Sequence, residues 1–455
     1  MAVLDALAAY VAKLSIDTMD PRIVASAKNF FADGLGCMVA SAHEKPIQIA
    51  KEYAALYGGK PEATIIASGE KTDVMTAALV NGISAHYLDF DDVGDTTNGH
   101  VSVVMLPTIL AVGETLNASG KQLLEAYITG IEACSMVGRS VGQENFRRGW
   151  HSTASLGIFG ATAAAGKLMG LSEQQLVYAF GIAASEASGL KANFGTMTKS
   201  FHAGSAASKG IRAARLASLG YDSKPEALEC RCGFGDLTIG VQDFTPTYEA
   251  IESNASEFLD PGLVMKPYPS CKASHNGIDA ALYLTKEYSL TPADIEHIIV
   301  EIQPHMVDLL QCPFPKNKLQ GKFSSNYTIA LAIANHAVTL DDFMGDDAFQ
   351  PEVAELIPKI ETVVNDNMNG EIKMMVRGDT IVRIFTKDGR ELVKRVNYAL
   401  GDPHVPLDEE MRVKKLESCF KRNLSPDRVQ LLIDSLRRVD EIGTTQTLIG
   451  LLIPD

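Results

Sequence analysis

Basic residues are in deficit in this chain. Lysine and arginine number 41 against 56 aspartates and glutamates, so the net charge is 41 − 56 = −15. A nucleic-acid binder needs a basic footprint for the phosphates, so that class is excluded. No uncharged apolar run reaches the roughly 18 residues that a membrane span needs, so no membrane partner is expected. The seven cysteines are odd in number and scattered, and Cys230 and Cys232 form a CxC with no second pair at zinc-site spacing. That usage fits a reducing compartment. The first residues, MAVLDALAAYVAKLS, carry Asp5 and lack both a basic stretch and a long apolar core. They read as an amphipathic helix and not as a signal peptide, and the expected location is the cytoplasm. Internal repeats and low-complexity linkers are absent too.

What is present is a soluble composition, 46% apolar and 21% charged, in 455 residues. That length exceeds one ordinary core and predicts two domains. Residues 1–265 read as helices dense in alanine and other small residues. Leu4, Leu7, Val11 and Leu14 keep helical spacing, Gly170 ends a buried helix, and Ser172 with Gln175 forms a capping box. Composition shifts near 265. HIIVEIQP reads as a strand, and DTIVRIFTKDGRELVKRV as two strands around Asp388-Gly389. Helical patches, NGIDAALYLTKEY and SSNYTIALAIANHAV, lie among them. After GDPHVPL the chain turns helical again, with Ser425-Pro426 opening a helix. The expected architecture is mainly α with an α+β part: helices in 1–265 and 402–455, and an α+β segment over 266–401.

One stretch organises the chemistry. HYLDFDDVGDTTNGHVSVVMLP gathers Asp89, Asp91, Asp92 and Asp95, then passes through a turn to His100 between apolar runs. His86 and Asp89 are three apart and would share a helix face. Asp89 is also near enough in sequence to fix the His100 tautomer. Four further stretches place titratable groups near helix starts: RRGWHSTASLG with His151, NFGTMTKSFHAGSAASKG with Lys199 and His202, VMKPYPSCKASH with Lys266, Cys271, Lys272 and His275, and GKFSSNYTIAL with Lys322 and Tyr327. Cations and imidazoles at helix N-termini suit a small di- or tricarboxylate. Asp91, Asp92 and Asp95 also spell DDxxD, which leaves a magnesium-dependent helical isoprenoid synthase as a rival. The glycines near Lys167 do not form a phosphate loop, since Leu168 follows the lysine.

These stretches resemble the MmgE/PrpD family. AHYLDFDD, GHVSVVMLP, RGWHSTASLGIFGATAAAGKLMGLS, NFGTMTKSFHAGSAASKG, KPYPSCKASH, KFSSNY and GDPHVPL occur in family order over nearly the whole chain. The resemblance implies a large all-helical domain made from both chain ends, here 1–265 and 402–455, with an inserted α+β lid, here 266–401. It implies a homodimer and a site between the domains that uses no metal or organic cofactor. The implied site residues are Asp89, His100, His151, Lys199, Lys266 and Tyr327, with His100, His151, Asp89 and Tyr327 in catalytic roles. Lys199, His202, Lys266 and Cys271 are expected to bind substrate.

The implied activity is that of a lyase or isomerase moving a proton next to a carboxylate: 2-methylcitrate dehydratase, cis-aconitate decarboxylase or iminodisuccinate epimerase. Cys271 stands where the decarboxylase pattern has histidine, and Val93 where it has threonine, with one extra residue before His100. The dehydratases' HPSDN is replaced by His100-Val101-Ser102-Val103-Val104. RGWHST, NFGTMTK and PSC look most like the epimerase branch. A non-catalytic carboxylate-binding homologue is the remaining alternative.

Overall fold

The computed structural model describes residues 1–345, 348–368 and 377–454. The fold is mainly α with an α+β part. One large apolar core draws on residues from Val3 to Met265 and again from Leu407 to Leu452, so the C-terminal helices pack back onto the N-terminal ones. A second core draws on Tyr268 to Leu392 and is joined by Phe146. The 266–401 segment also contains 346–347 and 369–376, which lie outside the described residues.

Local signals place the elements. Ser172 accepts from Gln175 N and starts the helix Glu173–Glu186. Gly170 closes the helix Gly157–Met169 in a left-handed conformation, φ 66°. Pro426 opens the helix Pro426–Leu436. In the α+β part, four strands run in the spatial order Ile360–Val364, Ile295–Ile302, Thr380–Thr386, Glu391–Val396. The first pair is parallel, and the helix Ser325–Asn335 lies on the long connection that a parallel pair requires. The other pairs are antiparallel, and the last is closed by the expected turn with Gly389 at φ 86°. Val382 and Ile384 alternate into the core beside the helices His275–Glu287 and Ser325–Asn335.

Two close approaches prepare the site. The helices Val74–Tyr87 and Thr198–Ser218 meet at glycines: a Cβ on Gly82 would lie 2.5 Å from Gly204 Cα. One turn beyond Gly82, His86 is thereby brought against Lys199. Gly99 abuts Thr153, where a Cβ would lie 2.7 Å from its backbone nitrogen. That contact lets the His100 N–H donate to Thr153 Oγ1 at 2.9 Å.

Candidate active site

The helix Val74–Tyr87 stops one residue after His86, and Asp89 takes a left-handed conformation, φ 54°. His86 and Asp89 therefore do not share a helix face, contrary to the three-residue spacing. Aspartate tolerates this backbone better than most residues do. The turn aims the Asp89 backbone carbonyl at Lys266, whose Nζ donates to it at 2.8 Å. Lys266 Nζ also lies 3.3 Å from Asp89 Oδ1, and Lys199 Nζ donates to that same oxygen at 2.7 Å. Burial opposes the charge of Asp89, but Lys199 and Lys266 hold its carboxyl well below the usual range.

His86 has a defined tautomer. Its Nδ1 lies 3.1 and 3.2 Å from the two Asp91 oxygens and donates to that carboxylate, while Nε2 accepts from Lys199 Nζ at 3.0 Å. Burial and the Lys199 charge push its pKa down to about 3, so it is neutral at pH 7.

His100 faces the same carboxylate. Its Nδ1 is 2.7 Å from Asp91 Oδ2, without the alignment of a hydrogen bond, and its Nε2 is 3.5 Å from Asp89 Oδ1. Asp91 is thus the nearer partner of His100, not Asp89 as sequence proximity suggested. Burial lowers the His100 pKa, Asp91 opposes that, and Lys199 and Lys266 reinforce it.

His151 caps the short helix Ser152–Ser155, and its N–H donates to Gly189 O at 3.0 Å. Its ring Nδ1 is 3.0 Å from His202 Nδ1, and its Nε2 is buried without a partner. Burial, then Lys199 and the neighbouring histidines, hold its pKa well below the usual value.

Asp89, His100, His151, Lys199 and Lys266 line one small cleft. Asp89, His100, His151 and Lys199 come from the larger core's side; Lys266, Cys271, Lys272 and Ala273 follow the composition shift near 265. Phe146, Phe194, Phe323 and Leu309 supply an apolar wall. Lys199 Nζ sits 5.3 Å from the Phe194 ring centroid and 5.6 Å from that of Phe323. Burial raises the Cys271 thiol and lowers the Lys272 amine. Three lysines line or edge a site with two carboxylates, Asp89 and Asp91, inside a protein of net charge −15. With the histidines neutral, the site favours an added anion.

His86, Asp89, Asp91 and His100 bring one ligand atom each within 4.8 Å of one another, a grouping able to hold a metal ion. Lys199 Nζ already bonds to two of those residues, Asp89 and His86. Its ammonium supplies the charge that a cation would bring.

Two expected site residues are elsewhere. Tyr327 is buried with its hydroxyl donating to Asp342 O at 2.7 Å, between Phe343 and Phe349, and does not line the cleft. The Ser324 cap fixes the register of its helix and turns the ring into the second core. His202 lies behind His151 and does not line the cleft either.

The DDxxD aspartates diverge. Asp91 faces the histidines, Asp92 accepts from Ser102 N at 3.1 Å at a helix start, and Asp95 pairs with Arg377. They do not converge on one magnesium site. His86, which the sequence joined to Asp89 on a helix face, instead links Asp91 to Lys199; its place directly before the aspartate run is the signal that it belongs to the site.

Family models describe the same chain in two parts. The MmgE/PrpD N-terminal domain matches residues 5–247, and the MmgE/PrpD C-terminal domain matches 268–440. The chain belongs to the MmgE/PrpD family. Among its relatives, a cis-aconitate decarboxylase of Homo sapiens is 28% identical over 96% of this chain and 92% of its own length. A cis-aconitate decarboxylase of Aspergillus terreus is 25% identical over 97% and 94%. A mitochondrial 2-methylcitrate dehydratase of Yarrowia lipolytica is 24% identical over 83% and 76%. Within this MmgE/PrpD chain, the family-spelled residues Asp89, His100, His151, Lys199 and Lys266 line one cleft, while Tyr327 does not.

Proposed function

We propose that this chain is a lyase or isomerase that moves a proton on carbon next to a carboxylate of a small di- or tricarboxylate. One observation carries the reading: His151, whose ring Nε2 is buried without a partner, lines a cleft together with Lys199, Lys266 and Lys272. Such a carbon acid is weak, and its deprotonation needs a base and stabilisation of the enediolate-like charge. The imidazoles of His151 and His100 supply the base and acid. The lysines hold carboxylates and share the developing charge. The phenylalanine wall limits water and strengthens these interactions.

The relatives' named substrates, cis-aconitate and 2-methylcitrate, are tricarboxylates, which supports this class. Loss of carbon dioxide or of water is the outcome their names suggest. The epimerase-like spellings, with uncharged Cys271 in the cleft, favour a second outcome, return of the proton to the other face as in an iminodisuccinate epimerase. The reading includes two units, a helical body (1–265 and 402–455) and a lid (266–401), consistent with the two apolar cores. It also includes assembly as a homodimer and residence in the cytoplasm. All seven cysteines are free, in keeping with a reducing compartment.

The test is a panel of cis-aconitate, 2-methylcitrate, iminodisuccinate and simpler dicarboxylates in deuterated water, followed by NMR. Exchange of an α-hydrogen is expected with at least one of them, and the product names the outcome. Binding without exchange would make the protein a non-catalytic homologue, and neither binding nor exchange would remove the proposal.

A further inference from the structure

His151 and His202 meet nitrogen to nitrogen, Nδ1 to Nδ1, at 3.0 Å. Two imidazoles in this arrangement share one proton: one ring donates and the other accepts. The remaining nitrogens lie in different surroundings. His151 Nε2 is sealed and unpartnered, in a residue that lines the cleft. His202 Nε2 has no partner among the described residues and is not among the sealed atoms; the residue keeps 7% of its surface exposed. The charged groups facing the pair are cationic: Lys199 faces both rings and Lys209 faces His202, while the neutral imidazoles of His86 and His100 also face His151. The Phe194 ring closes the remaining side of His151 at 4.9 Å between centroids. A positive charge is therefore unwelcome on His151 and better tolerated one ring further out.

We propose that His202 is a relay residue that sets the protonation of His151 and passes its proton between the cleft and solvent. This rests on the reading of the cleft as a proton-transfer site. In the starting form, His151 Nδ1–H donates to His202 Nδ1, His202 carries its proton on Nε2, and His151 Nε2 is a free base. When Nε2 takes a proton from the substrate carbon, the Nδ1 proton of His151 moves to His202 Nδ1, and His202 releases its Nε2 proton to water. One proton has crossed from cleft to solvent. Both rings end neutral, with His151 now holding Nε2–H as an acid. The reverse sequence restores the base without rotation of either ring. His202 touches no substrate in this scheme; it acts through His151.

Two measurements test this. The first needs no substrate: ring-labelled histidine NMR at pH 7 on the full chain and on His202→Gln. The expected spectra show one ring of the pair protonated at Nδ1, and a shift of the His151 tautomer balance in His202→Gln. Two rings both bare at Nδ1, or a His151 balance unchanged by the substitution, would overturn the pairing. The second uses whichever polycarboxylate the chain turns over. His202→Ala should lose roughly tenfold or more in kcat, with KM nearly unchanged and a displaced pH profile, and added imidazole should restore rate in proportion to its concentration. A kcat within twofold of the parent's, or a loss that imidazole leaves untouched, would show that His202 only packs. If no polycarboxylate is turned over, the proton-transfer reading fails, and the NMR result still decides whether the pair shares a proton.

Discussion

Lys199 and Lys266 converge on one oxygen of Asp89, at 2.7 and 3.3 Å. Lys199 comes from the helix Thr198–Ser218, and Lys266 from the point where the chain leaves the larger core. A carboxylate held by two ammonium groups keeps its charge although buried, and it keeps both lysines pointed at the cleft. Substrate carboxylates then find cations already in place, with little ordering left to do.

Removing one of these cations should be felt at binding. Lys199→Met keeps the stem length and deletes the charge. It should weaken substrate binding by about 1.5–3 kcal/mol, the range for a lost charge-assisted hydrogen bond. Titration of the variant with the turned-over polycarboxylate checks this. An unchanged KM and kcat would leave Lys199 as a structural partner of Asp89 alone.

Metal removal should not matter. A divalent ion among His86, Asp89, Asp91 and His100 would have to displace the Lys199 ammonium, which already bonds to Asp89 and His86. Turnover after exhaustive chelation and dialysis is expected to equal that of the untreated protein. A loss that added magnesium reverses would instead support the metal-dependent reading of the aspartate run.

Tyr327 gives a contrast. Its hydroxyl bonds to Asp342 O inside the second core, away from the cleft. Tyr327→Phe should cost about 1 kcal/mol of stability for the lost hydrogen bond and leave kcat within a few-fold. A fall of a hundredfold with normal melting would mean that the helix Ser325–Asn335 moves enough to bring this ring to the substrate.

Much of the fold was legible because it rests on local chemistry. The Ser172–Gln175 box, Gly170 at a helix end and Asp388-Gly389 between strands each bias the backbone directly. Asp89, His100, His151, Lys199 and Lys266 were legible as a set through their spelling and order. Directions were not legible. Where the helix ends after His86, and that Asp89 turns left-handed, depends on its long-range contact with Lys266. Which aspartate meets His100 is settled by that turn, since four carboxylates lie close in sequence. His202 follows Lys199 by three on one helix, yet the packing of that helix against the 151–155 segment sends it behind His151.

The buried imidazoles predict how stability depends on pH. A free histidine takes up a proton near pH 6.5, whereas folded His86 resists until about 3 and His202 until about 4, chiefly through burial and the Lys199 charge. Between these values the unfolded chain binds more protons at these two histidines than the folded one, so their contribution to stability is full above pH 6.5 and falls as the pH falls. His86 alone contributes on the order of 5 kcal/mol over the full span from pH 6.5 to 3. Asp89 and Asp91, also depressed in the fold, add to the loss below about pH 4. Burial raises the carboxyls of Asp92, Asp95 and Glu132 to about 7, 8 and 7, which favours the fold as the pH falls and opposes the imidazoles over the same range. The histidine contribution is therefore read as a difference: between pH 7 and 4.5 the melting temperature of His86→Gln should fall less, or rise more, than the parent's, and an identical pH dependence would contradict a neutral buried His86.

The sharpest expectation concerns His100. Its backbone is pinned by Thr153 at 2.9 Å, so the ring is positioned by the loop and not by a helix. Its Nδ1 lies 2.7 Å from Asp91 but off the hydrogen-bond direction, a geometry that a small reorientation on substrate binding would align. Asp91 can then hold the Nδ1 proton and leave Nε2, 3.5 Å from Asp89, to exchange a proton with substrate. His100→Gln keeps a polar side chain of similar reach and cannot shuttle a proton. It should melt near the parent temperature, still bind substrate, and lose roughly 10²–10⁴-fold in turnover. It should also lose exchange of the substrate's α-hydrogen with deuterated water if His100 is the base. If turnover falls while exchange persists, His151 is the base and His100 delivers the proton in the later step. A variant that melts much lower and keeps its rate per folded molecule would assign His100 to holding the loop, and both transfers would then fall to His151.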